Sequence, residues 1–212
     1  CCKSIWFMRQ AGRYLPEFQK IRVKNPDFIK LCLNSKLSSE ITLQPIKRFN
    51  LDSAIIFSDI LMVPYALGQD VKFLKDRGPI LSNFTHSSFK KKTKKEFTKK
   101  LSPIYKAIDI TRKKLDKEKS LISFIGAPWT LLVYMLDMKK NKEEIDLEKL
   151  NKRHPEINNI LESLIEYLCI HIDNQINSGA DVVQIFDSWA GLIPADRIND
   201  YCYAPNSKII NF

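Results

Sequence analysis

The sequence predicts an α/β fold built from parallel strand–helix units, and three observations predict it. Leu51–Phe57, Leu121–Ile125 and Asp181–Phe186 are short, nearly continuous apolar runs, the pattern of strands buried on both faces. The segments between them have helical periodicity and enough length for right-handed crossovers. No linker-like stretch or internal repeat interrupts this alternation, so 1–212 is expected to form a single domain.

The elements follow in order. Phe7–Phe18 reads FMRQAGRYLPEF, with Arg9 and Arg13 on either side of Gln10, Ala11 and Gly12. Gly12 permits backbone conformations that a β-carbon resists, and Pro16 disfavours helix at Leu15. A tightly turned loop presenting two guanidinium groups is expected, and their planar forks suit carboxylates. The plainer use of such arginines is solvation or pairing with Glu17. A helix is expected around Asn25–Leu33 and a clearer one over Ser38–Phe49. Ser38 or Ser39 would cap the second, Ile41, Ile46 and Phe49 would share its apolar stripe, and Pro45 would kink or break it. The first strand ends at Ser58-Asp59. Gly68–Leu81 reads as a small hairpin, and a lysine-rich helix then runs on through Ile104, Ile108 and Leu115. The second strand closes on GAPWT. Leu131–Met138 and Leu147–Leu150 read as helical, and Glu156–Ser178 as a long amphipathic helix. The third strand closes on DSWAG, and Ile209–Phe212 is a candidate fourth.

Composition narrows the partners. Of 212 residues 44% are hydrophobic, enough for a real core. No run approaches the roughly 18 apolar residues of a membrane span, and the N-terminus lacks a signal-peptide layout, so a cytoplasmic protein with no membrane partner is expected. CCKSIWFMRQ has no initiator methionine and begins almost inside the arginine motif, which favours a sequence that starts partway through a gene product. The five cysteines (Cys1, Cys2, Cys32, Cys169, Cys202) are odd in number and show no zinc-type spacing. Reduced thiols and no bound metal are expected. The net charge of +10 is concentrated at Lys90, Lys91, Lys92, Lys94, Lys95, Lys99 and Lys100, near only two aromatics, Phe89 and Phe97. A solvated helix face rather than a nucleic-acid site is the expected reading, with the overall field steering a polyanionic small molecule.

Chemistry in α/β folds gathers beyond the C-terminal ends of the strands. Those positions carry Asp59 after the first strand, Pro128, Trp129, Thr130 and Tyr134 after the second, and Asp187 and Ser188 after the third. Each has a plain use: a helix cap for Asp59 or Ser188, packing for Trp129, a surface hydroxyl for Tyr134. A polar group at every strand end, preceded by an arginine loop, favours a shared site.

These motifs also resemble a known family. MRQAGRYLPEF is similar to the signature near the N-terminus of uroporphyrinogen decarboxylases. IIFSDIL, GAPWTLLVYM and FDSWAG resemble that family's successive strand-end motifs, in its order. ITLQPIKRF and the DVKF…GP excursion fit as well, and the lysine-rich region is the least family-like part. The resemblance implies a (β/α)8 TIM barrel, of which this chain would supply three to four βα units. It would therefore be a fragment, truncated at the C-terminus and at the N-terminus.

The implied reaction removes CO2 from the four acetate side chains of uroporphyrinogen III, giving coproporphyrinogen III without a cofactor or metal. Asp59 would accept hydrogen bonds from the pyrrole N–H groups and stabilise a protonated ring. Arg9 and Arg13 would hold substrate carboxylates, one of them also serving proton delivery. Tyr134 and Ser188 would hydrogen-bond near the reacting acetate or Asp59. Gln10, Ala11 and Gly12 would line the cleft, and Ile56 and Phe57 would supply apolar walls. The family's late histidine is carried onto none of His86, His154 or His171: His86 and His154 read as surface positions, and His171 as packed or solvent-facing on the long helix. A homodimer is implied. Two alternatives remain. A corrinoid-dependent methyltransferase of the same superfamily would need a His/Cys zinc set that the sequence does not present. An inactive basic binding fragment would show salt-dependent nucleic-acid affinity insensitive to Arg9→Ala.

Overall fold

The computed structural model describes residue 7 and residues 14–49, 51–74, 78–87, 93–141, 144–152 and 154–212. Pro16 has its φ preset for a first helical turn and lacks only an N–H that no helix start would use. The chain accordingly becomes helical there, in α1 (Pro16–Lys24), after extended Leu15. The loop expected to reach Phe18 therefore ends at Leu15. Asp27 caps α2 (Phe28–Cys32) by accepting the Lys30 N–H at 3.0 Å, so the helix expected over Asn25–Leu33 is shorter. Asn34 accepts the Leu37 N–H at 3.1 Å and starts α3 (Ser35–Phe49). That helix begins a turn before Ser38, and neither Ser38 nor Ser39 caps it. It also runs through Pro45, which removes a single backbone donor without ending the helix.

Next come β1 (Ser53–Ile55), α4 (Met62–Ala66), β2 (Val71–Leu74), β3 (Gly78–Leu81), α5 (Lys94–Lys114), β4 (Ser120–Gly126), α6 (Pro128–Met135), α7 (Leu147–Lys152), α8 (His154–Asn177), β5 (Val182–Phe186) and α9 (Ala204–Ile210). β2 and β3 form the expected hairpin, with Val71 opposite Leu81. β1, β4 and β5 form one sheet in the order β1-β4-β5. β1 and β4 are parallel, pairing Ser53 with Ser120 and Ile55 with Ile122. Asp181 N–H reaches Leu121 O at 2.9 Å and Ala127 N–H reaches Phe186 O at 2.8 Å, so β5 runs the same way. The fold is α/β. The candidate strand at Ile209–Phe212 is instead the end of α9, which a π-helical turn over Asn199–Tyr203 leads into. Two isoleucines and a phenylalanine do not distinguish a strand from the buried edge of a helix, and Ile209 is that edge.

The chain forms two compact units, Cys1–Asp59, Lys100–Phe124 and Ile172–Gln184 in one, Ile60–Lys99, Ile125–His171 and Ile185–Phe212 in the other. In the first, Ile41, Ala54, Leu101, Ile108 and Leu121 are fully buried. Arg112 ties together the N-terminal ends of its strands. The guanidinium donates to the carbonyls of Lys119 (3.1 Å), Leu115 (3.3 Å) and Asp116 (2.7 Å), and to Asp181 Oδ2 (2.8 Å). Asp181 Oδ2 in turn accepts the Leu121 N–H at 2.7 Å. Gly179, at φ +105°, ends α8 directly over this side chain, and a Cβ there would stand 2.9 Å from Arg112 Cγ. Arg112→Ala should cost about 2–3 kcal/mol, since several acceptors lose a charged donor at once. A denaturant midpoint unchanged from wild type would contradict that role.

In the second unit Trp129, Leu132, Ile160, Leu164 and Leu168 are fully buried. Gln69 Nε2 joins the hairpin to α6 through Ser82 O (2.6 Å) and Met135 O (2.8 Å). Lys94, Lys95 and Lys99 are exposed on α5, with Lys94 paired to Glu166 and Lys95 and Lys99 on the side away from buried Phe97. Lys90, Lys91 and Lys92 are outside the described residues. His86 is half-buried and His171 packs edge-on to Phe97. Burial pushes the His171 pKa down from 6.5 to about 3. The unfolded chain therefore takes up a proton that the native state refuses, and stability should fall as pH drops from 6.5 towards 3. His171→Leu should flatten that part of the pH–stability curve; an unchanged slope would contradict the assignment.

Among the described residues, no helix is long and apolar enough to cross a membrane.

Candidate active site

Asp59 stands just beyond β1, half-buried, and its approach is fixed by α3. Both peptide groups of Phe57 are held. Ser38 Oγ donates to Phe57 O at 2.7 Å, and Thr42 Oγ1 accepts the Phe57 N–H at 2.9 Å while donating to Ser38 O at 2.8 Å. The Phe57 ring lies edge-on to Phe18 and Phe28, at 5.9 and 5.8 Å, and is only 8% exposed. Ile56 is buried as well. A hydroxyl pair one helical turn apart thus orients the segment that carries Asp59. Composition suggests only a cap for Ser38 or Ser39; the signal for the observed role is a pair of hydroxyls, Ser38 and Thr42, one turn apart on the buried face of α3. Asp59 does not cap the following helix, whose N-cap is Leu61. Cys32 is fully buried nearby, and burial, with the Asp59 charge adding to it, pushes its thiol pKa well up. It stays a neutral neighbour of the carboxylate.

The second and third strand ends come together in the other unit. Gly126 closes β4 where a Cβ would lie 2.7 Å from Leu131 Cδ2, so the strand can turn directly into α6. Pro128 stands in the first turn of that helix. Thr130 Oγ1 donates to Asp187 Oδ1 at 2.7 Å and accepts the Trp189 N–H at 3.1 Å. Trp129, fully buried, donates its indole N–H to Trp189 O at 2.9 Å and stacks on Tyr201 at 5.1 Å, the packing role expected of it. Ser188 sits between two anchored residues and is itself exposed. It caps no helix: the short turn that follows has Trp189 at its N-cap. Tyr134 is half-buried, its ring edge-on to Trp189 at 5.9 Å, and Lys139 Nζ lies 5.4 Å over the Trp189 ring. Asp187 Oδ2 faces Cys202 Sγ and Asn206 Nδ2, each at 3.5 Å. Burial, with Asp187 adding to it, raises the Cys202 pKa and keeps a thiol proton to donate.

Tyr134, Asp187 and Ser188 therefore share one neighbourhood in the second unit, while Phe57 and Asp59 lie in the first. Arg9, Gln10, Ala11, Gly12 and Arg13 lie outside the described residues. Among the described residues no cluster of His, Cys, Asp and Glu could hold a metal ion.

Comparison with known proteins gives a consistent picture. The uroporphyrinogen decarboxylase (URO-D) family model matches residues 4–212. The uroporphyrinogen decarboxylase of Orientia tsutsugamushi (strain Ikeda) is 46% identical over 207 residues, covering 97% of this chain and 60% of the relative. That of Jannaschia sp. (strain CCS1) is 42% identical, covering 98% and 61%. That of Campylobacter jejuni subsp. jejuni (strain 81-176) is 41% identical, covering 98% and 62%. The chain thus spans about 60% of the length of the curated relatives it matches. Among solved structures, a methyltransferase from Methanosarcina mazei superposes with a TM-score of 0.70 at 16% identity, covering 84% of this chain and 54% of its own. At that identity the likeness concerns the fold alone.

Proposed function

The chain belongs to the uroporphyrinogen decarboxylase family, and from that premise we propose that it serves a cofactor-free carboxy-lyase converting uroporphyrinogen III to coproporphyrinogen III. The observation that carries this reading is the family match over residues 4–212, which includes the arginine loop and all three strand ends. On the same pattern, 1–212 belongs to a single (β/α)8 barrel domain of a cytoplasmic homodimer.

The chemistry follows from the substrate. An acetate on a pyrrole ring cannot lose CO2 until the electron pair of the breaking C–C bond has somewhere to go. Protonating the ring carbon creates a cation that accepts this pair. CO2 leaves, a proton is delivered to the exocyclic methylene to make a methyl group, and the ring gives up its own proton. Asp59 accepts hydrogen bonds from the pyrrole N–H groups and stabilises the cationic ring by its negative charge. Arg9 and Arg13 hold substrate carboxylates through bidentate forks, with one of them serving the proton-delivery path. Tyr134 and Ser188 hydrogen-bond near the reacting acetate or Asp59. Gln10, Ala11 and Gly12 line the cleft, and Phe57 bounds it beside Asp59.

The test is product analysis. The gene product carrying these residues, incubated anaerobically with uroporphyrinogen III and no cofactor, should convert the octacarboxylate through intermediate stages to the tetracarboxylate. Recovery of the octacarboxylate alone would overturn the reading.

A further inference from the structure

Thr130 is fully buried, yet its hydroxyl forms two hydrogen bonds whose directions are forced. A carboxylate can only accept, so the Thr130 proton points at Asp187 Oδ1 (2.7 Å), which leaves a lone pair for the Trp189 N–H (3.1 Å). Asp187 and Trp189 are the two neighbours of exposed Ser188. Trp189 is also held at its carbonyl by the Trp129 indole, and its own indole is the surface on which the Tyr134 ring rests. One hydroxyl thus links the two residues that flank Ser188, one of which carries the indole against the Tyr134 ring. The Asp187 carboxylate also meets Cys202 Sγ and Asn206 Nδ2, each at a longer 3.5 Å, and the Asp187 carbonyl accepts the Ala190 N–H at 3.2 Å.

We propose that Thr130 is a positioning residue for Tyr134 and Ser188, acting through Asp187 and Trp189; this rests on the decarboxylase reading. A serine can supply the same two bonds. Valine has nearly the same shape but supplies neither, and it leaves a half-buried carboxylate oxygen and a buried peptide N–H without the hydroxyl.

The experiment compares kcat, KM and thermal midpoint for wild type, Thr130→Val, Thr130→Ser, Tyr134→Phe and the Thr130→Val/Tyr134→Phe double variant, in the gene product carrying this segment. Thr130→Val should lower kcat roughly tenfold or more with little change in KM, because small misplacements of reacting groups cost rate. Thr130→Ser should restore most of it. In the Tyr134→Phe background Thr130→Val should cost distinctly less, the non-additivity expected of residues that act through one another. Wild-type kcat in Thr130→Val, or an equal fold-loss in both backgrounds, would overturn the proposal and leave the decarboxylase reading standing. A wild-type protein without decarboxylase activity would overturn both. Should Thr130→Val not fold, Asp187→Ala takes its place, since it removes the acceptor of the Thr130 hydroxyl, with the same coupling to Tyr134 expected and its absence decisive against the proposal.

Discussion

Asp59→Asn is expected to cut decarboxylation roughly 100- to 1,000-fold, the scale of removing one preorganised electrostatic partner from a transition state. The side chains are nearly isosteric, so the loss is of charge. Asparagine still offers a carbonyl oxygen to one pyrrole N–H, but it cannot offset the positive charge that builds on the protonated ring. The approach to residue 59 is set by Ser38 and Thr42 holding the Phe57 peptide groups, which the substitution does not touch. Substrate affinity should therefore fall much less than kcat, and the thermal midpoint should stay near wild type. Turnover near the wild-type rate would remove Asp59 from the charge-stabilising role, whatever its contact with substrate.

Arg13→Lys is the second large effect. Both residues are cations, so a role that needs only charge would tolerate the change. A carboxylate clamp would not, because a planar fork with two parallel donors is replaced by a strongly hydrated point charge on a flexible stem. One charge-assisted hydrogen bond lost or loosened corresponds to about tenfold or more in affinity. KM should rise accordingly, with a smaller change in kcat. An unchanged KM would show that Arg13 contributes field rather than geometry.

The parallel strand–helix pattern was legible in the sequence because its strands are short apolar runs. Three apolar runs located β1, β4 and β5, and of the polar residues directly after them Thr130 and Asp187 are joined by a hydrogen bond. Tertiary detail was not legible. Ser38 looks like a cap by composition, but its partner is the Phe57 carbonyl, nineteen positions away in sequence. Thr130 looks like an ordinary helix residue until Asp187 and Trp189 are brought to it from another strand end. The end of the chain misled for a local reason: Ile209, Ile210 and Phe212 have strand-like composition, whereas Pro205 in the first turn of α9 and the π-helical turn before it commit the segment to helix. The tertiary contacts of Phe57 are equally invisible in sequence, since nothing local says that Phe18 and Phe28 close over its ring.

The acetate carboxyls, and no others, should leave as CO2. The direct measurement uses uroporphyrinogen III carrying carbon label either in the acetate or in the propionate carboxyls, incubated with the gene product and no cofactor. All four acetate carboxyls should appear as labelled CO2, and the propionate-labelled substrate should release none. Label released from propionate, or none from acetate, would contradict a uroporphyrinogen decarboxylase.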